Sequence, residues 1–196
     1  MIPHVNILVA HYSEDIKWLE NLKYPYVVIS KKGIPLETKP NKGNEVSAYL
    51  EYIIENYDKL AEYTIFLHAH RTSWHCKENM DEKINKLTFT HDYYNINDKV
   101  RVERIRMMCA NTKKYIPKTI EIIGQIMNKP ISLDKLHYKQ AAQFYVHKKC
   151  ILQYPKDIYI GLYKFIQETE IPSALTSRGF EYTWHYIFTN NYTDKM

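Results

Sequence analysis

The stretch NKGNEVSAYLEYIIENYDKLAEYTIFLHAH, residues 41 to 70, constrains the fold more than any other part of the chain. Val46, Tyr49, Leu50, Ile53, Ile54, Tyr57 and Leu60 recur at helical spacing and give one apolar face, with Asn44 placed to cap the helix. The run Tyr63 to Leu67 follows at once and has the length and composition of a buried strand. Two earlier β-rich runs, Val5 to Ala10 and Tyr26 to Ser30, precede the helix. Strands alternating with helices in this way predict an α/β fold, a mostly parallel sheet flanked by helices.

Further elements are expected along the chain: a helix capped by Ser13 that carries Ile16, Trp18 and Leu19, and a short helix over Asp81 to Leu87. Asp98 to Gln125 reads as mostly helical with an interruption at Pro117, and Gln140 to His147 as a late strand. Pro155 precedes a helix ending near Ile166, and a last helix covers Phe180 to Phe188. A length of 196 residues suits one core, so residues 1–196 are expected to form a single domain.

The net charge of +5 comes from dispersed basic residues rather than a stripe with interleaved aromatics, which argues against nucleic acid as partner. Cys76, Cys109 and Cys150 are widely spaced and odd in number, the pattern of reduced thiols in a cytoplasmic protein. The first residues do not read as a signal peptide, and no apolar run reaches the roughly 20 residues of a transmembrane segment.

Four segments carry chemistry. His68 and His70 end the third strand, where an HxH pair on one face can share a metal ion if His75 or a carboxylate adds a third ligand; otherwise they are neutral, hydrogen-bonded cleft residues. Lys42 and Gly43 lead into a helix N-terminus and form either a phosphate seat or an ordinary glycine turn. His11, Tyr12 and Glu14 follow the first strand, placed for a base or ribose, or else Ser13 and the acidic pair only start a helix. Glu181, Trp184 and His185 lie within about one helical turn, a carboxylate beside an imidazole that suits a catalytic base or, alternatively, the start of an amphipathic helix packed through Trp184.

In order, HYSEDIKWL, NKGNEVSAYLEYIIENYDKL, YTIFLHAH, AAQFYVHKKCI and FEYTWHYIF resemble the family called domain of unknown function 3431, over nearly the whole chain. Its layout is similar to that of small glycosyltransferases of the GT-A type. The resemblance implies transfer of a sugar from a nucleotide diphosphate sugar to a glycan or other hydroxyl acceptor. It also implies a divalent metal, Mn, Mg or Zn, at the strand end, where FLHAH has histidines in place of the expected Asp-x-Asp carboxylates. On this basis His11, Tyr12, Glu14, Lys42, Gly43 and Arg71 are expected at the nucleotide, His68 and His70 at the metal, and Glu181 or His185 as base. A metal-dependent hydrolase using the HxH pair and a non-catalytic nucleotide- or carbohydrate-binding module are the alternatives.

Overall fold

A computed structural model describes residues 3–74, 76–98, 110–133 and 142–191; His75 and Cys109 lie outside them. Three strands, β1 (Val5–His11), β2 (Tyr26–Ser30) and β3 (Tyr63–His68), pair in parallel around a central β1. The expected helix is α1 (Glu45–Asn56), which carries the chain from β2 over to β3. Beyond β3 lie β5 (Phe144–His147) and β4 (Tyr93–Asn95), in the sheet order β2-β1-β3-β5-β4.

The sheet is mixed rather than mostly parallel. β5 runs antiparallel to β3, pairing Phe66 with Phe144, and β4 runs antiparallel to β5. An apolar strand has the same side-chain pattern in either direction, so the sequence carried no sign of this reversal. β4 was not foreseen at all: with three residues it is too short to show a period.

Period-two alternation divides the core between the two sheet faces. Leu8, Phe66, Phe144 and Val146 face α1, α5 (Lys156–Glu168) and α6 (Ser173–Thr189). Ile7, Val9, Ile65, Leu67 and Tyr145 face the opposite side, covered by Trp18 and Leu19 from a 3-10 turn (Lys17–Asn21) and by Met80 and Ile84 from α2 (Met80–Asn85). The segment after β1 is therefore a single tight turn, not a helix capped by Ser13.

α3 (Ala110–Ile126) continues through Pro117, contrary to the expected interruption. Pro117 removes one N–H, but Ile116, Ile120 and Ile123 are fully buried and hold the helix in place. α3 packs on α6, which begins seven residues earlier than the apolar pattern indicated. Its first turns read SALTSRG, polar enough to pass for a loop, yet Ser173, Thr176 and Ser177 are buried. A short α4 (Lys148–Leu152) links β5 to α5. Among the described residues no helix is long and apolar enough to cross a membrane.

Candidate active site

β1 connects to β2 on one side, and the chain returns through α1 to β3 on the other, so the crossover direction reverses between β1 and β3. Outside the carboxyl ends of the strands at such a reversal, open α/β sheets bind their ligands. A cleft of about 340 Å³ lies there. Its walls come from Ala10, His11, Tyr12 and Glu14 at and after the end of β1, Ile29 and Lys31 at the end of β2, His68 and His70 at and after the end of β3, and Asn44, Glu45 and Ala48 at the start of α1.

Alternation explains why His68 enters it. His68 pairs with Ala10 in register and shares the face of Phe66, the face on which α1 packs. Burial pushes its imidazole pKa down to about 4, aided by nearby His70 and opposed by Glu14. His68 is thus neutral at neutral pH. His70 stands beyond the strand, 56% exposed in its side chain, with Nε2 3.5 Å from Glu14 Oε1.

The loop after β1 is held by its own polar groups. Glu14 Oε2 accepts from the amides of Tyr12 at 2.8 Å and Ser13 at 2.9 Å. Burial disfavours its charge, but these amides, its own N–H and His70 outweigh that and leave its pKa lowered. His11 Nε2 lies 3.2 Å from the carbonyl oxygen of Glu14, which only accepts, so Nε2 donates; Nδ1 lies 2.7 Å from the Ser30 hydroxyl. Tyr12 remains exposed at the mouth of the cleft.

Trp18 fixes the loop after β3 from the other side of the sheet, its buried indole N–H donating to Ala69 O at 2.9 Å. Trp18→Phe leaves that carbonyl without its donor. It is expected to lower stability by about 1–2 kcal/mol, read from urea midpoints at unchanged m-value.

Five residues expected at the site line the cleft together: His11, Tyr12, Glu14, His68 and His70. Five others do not. Lys42 Nζ donates to Thr169 O, and the Gly43 amide donates to Ser173 Oγ at 2.9 Å, so both pin the loop to the α5–α6 turn. Arg71 makes a two-pronged pair with Asp81, Nε to Oδ1 and Nη2 to Oδ2 at 3.0 Å each. Glu181 and His185 sit on α6, His185 buried, and neither lines the cleft.

Asn44 and Glu45 take the place that Lys42 and Gly43 were expected to fill. Asn44 is the residue before α1, but its φ of 54° turns its amide to Ser177 Oγ at 3.1 Å instead of capping the helix. Glu45 lines the cleft, yet its Oε1 is sealed off without a hydrogen-bond partner among the described residues. Burial pushes its pKa up to about 7, against the pull of its own backbone N–H. Sequence reasoning passed over Glu45, because a glutamate in a first helical turn is the commonest way to balance the helix dipole. Lys31, buried beside the cleft, pairs with Glu51 of α1.

For a metal, His68 and His70 supply two nitrogen donors. Among the described residues no group of three His, Cys, Asp or Glu side chains converges as a ligand set. Two donors are fewer than the usual three or four protein ligands of a metal centre, and His75, the third ligand expected from the sequence, lies outside the described residues.

No curated protein and no solved structure matches the chain. A family model matches it over residues 7–195, from within β1 to beyond α6 and including every residue of the cleft, and the chain therefore belongs to that family, described as protein of unknown function DUF3431.

Proposed function

We propose that this protein is a glycosyltransferase that transfers a sugar from a nucleotide diphosphate sugar to a hydroxyl acceptor, with the cleft between the ends of β1 and β3 as donor site. The observation that carries this reading is the convergence of Tyr12, Glu14, His68 and His70 on one cleft at the crossover reversal. The resemblance of the sequence segments to the layout of GT-A type glycosyltransferases supports it.

In this reading the exposed ring of Tyr12 offers a stacking face for the base. Among the described cleft residues Lys31 offers a cation and His70 an imidazole to a diphosphate, each now beside a carboxylate, Glu51 and Glu14 respectively. A diphosphate competes for them with two negative charges in a partly desolvated site. Neutral His68 donates or accepts a hydrogen bond there without adding charge.

A thermal-shift series with nucleotide diphosphates and nucleotide sugars, each with and without Mn²⁺, Mg²⁺ or Zn²⁺, tests the reading. A donor at about 100 times its Kd adds roughly 2.7 kcal/mol, a rise of roughly 5–10 °C for a chain of this length. The shift is expected for one class of nucleotide and to disappear in the His68→Ala/His70→Ala double variant. No shift with any nucleotide overturns the reading. Stabilisation by metal alone, lost in the same variant, points instead to a hydrolase built on the HxH pair.

A further inference from the structure

Glu45 is the residue of the cleft whose chemistry the fold leaves most unresolved. Buried carboxylate oxygens nearly always have a donor, since an unmet one costs on the order of 1–3 kcal/mol or more. Glu45 Oε1 has none among the described residues, although the residue is only partly covered and its remaining surface belongs to the cleft. Its place is fixed by the backbone: Gly43 at φ +87° and Asn44 at φ 54° turn the chain sharply, and Glu45 opens α1 directly beneath the strand ends. A turn of the carboxylate into the cleft, which the rest of the residue already lines, brings Oε1 to a ligand O–H or N–H that supplies what the protein does not.

We propose that Glu45 is the general base of the cleft, accepting the proton of the acceptor hydroxyl. This rests on the glycosyl-transfer reading above. The acceptor O–H donates to the Glu45 carboxylate, and as the proton passes, the acceptor oxygen bonds to the anomeric carbon. The bond from that carbon to the diphosphate oxygen breaks, and the diphosphate leaves with the electron pair. Glu45 then returns the proton to solvent.

The surrounding groups favour this role over one for Glu181. His11, Tyr12 and Glu14 face the cleft at and after the end of β1, Lys31 just past β2, and His68 and His70 at and beyond the end of β3. Lys31 is already paired with Glu51 and Glu14 is held by backbone amides, which leaves no cation committed to Glu45 among the described residues. Tyr49, one turn along α1, is itself deeply buried; burial first, then Glu45 and Glu181, push its phenol well above the ordinary range, so it stays protonated. Its hydroxyl donates to Ala142 O at 2.6 Å. A proton affinity near neutrality, set by burial, lets Glu45 take up and release a proton at working pH.

Stability against pH gives a first test that needs no substrate. A carboxyl whose pKa is raised on folding, here from 4.5 to about 7, destabilises the fold increasingly as pH rises from 4.5 through 7, because only the unfolded chain ionises freely there. Glu45→Gln removes that loss. Its melting temperature, relative to wild type, is expected to rise between pH 5 and pH 8; a difference that stays flat with pH overturns the inference.

The second test is turnover of UDP-glucose, UDP-galactose, UDP-N-acetylglucosamine and GDP-mannose with methyl glycosides as acceptors. Glu45→Gln is expected to keep donor affinity within about threefold and to lose at least about 100-fold in kcat. The wild-type rise in rate with a group near 7 is expected to be absent from what remains. Turnover by Glu45→Gln within threefold of wild type overturns the role of Glu45 and leaves the donor reading standing. Wild type that binds a donor but turns over none overturns the transfer reading and the base assignment with it, and leaves only donor binding standing. Wild type that binds no donor overturns the donor reading, and the role of Glu45 with it.

Discussion

Phe144→Ala is expected to lower stability by about 3–5 kcal/mol, the cost of removing a large aromatic side chain from a core that cannot collapse around the gap. Phe144 is fully buried on β5 and meets five other rings: Phe66 at 5.1 Å between centroids, Tyr93 at 5.2 Å, Phe188 at 5.6 Å, Trp184 at 5.7 Å and Tyr49 at 6.1 Å. These belong to β3, β4, α6 and α1, so one side chain joins the sheet to the helix layer on that face. None can move into the gap without giving up another partner. At roughly 2–4 °C per kcal/mol for a chain of this size, the melting temperature is expected to fall by roughly 6–20 °C. Phe144→Leu, which retains much of the volume, is expected to lose clearly less; equal losses for both substitutions contradict the packing account. The effect reaches the cleft as well, since Phe66 is two residues before His68 on the same sheet face.

Gly43→Ala is expected to be nearly as severe, about 2–4 kcal/mol, from two separate causes. The backbone at Gly43 has φ +87°, which an alanine adopts only under strain. An added Cβ would also stand 2.3 Å from Ile166 Cγ2, inside any tolerable contact. Ile166 is fully buried on α5, so the clash pushes the loop away from the α5–α6 turn and opens the hydrogen bond from Gly43 N to Ser173 Oγ. The two causes separate in a double-mutant cycle: in a background of Ile166→Ala the steric part disappears and the strained φ remains. A Gly43→Ala penalty unchanged in that background overturns the steric part. Because Asn44 and Glu45 follow directly, the same substitution is expected to displace Glu45 from the cleft.

The sequence indicated this loop but not its use. Lys-Gly before a helix suggested a phosphate seat, since the free N–H groups of a helix start are visible in a pattern. What a pattern does not show is that the Gly43 amide is already committed to Ser173, 130 residues away in sequence. Arg71 is a similar case. Its place beside HAH suggested a ligand contact, but Asp81 takes its guanidinium in a two-pronged pair that ties α2 to the strand end. The cleft residues that were legible, His11, Tyr12, Glu14, His68 and His70, are those set by strand ends, because the end of an apolar run is a local property.

By itself, then, the sequence determined the α/β class, the parallel β1, β2 and β3 unit with its crossover α1, and the chemical character of the strand ends. Hydrophobic period and chain order suffice for these, since each depends on residues close together in sequence. The tertiary structure alone decided the reversed β5, the addition of β4 at the sheet edge and the early start of α6. It also decided which polar groups are used up as struts and which face the cleft. That choice depends on partners distant along the chain: Thr169 for Lys42, Ser173 for Gly43, Asp81 for Arg71. Glu45 emerges from the same rule in reverse, because its carboxyl oxygen has no such partner among the described residues and its burial is a property of the assembled fold.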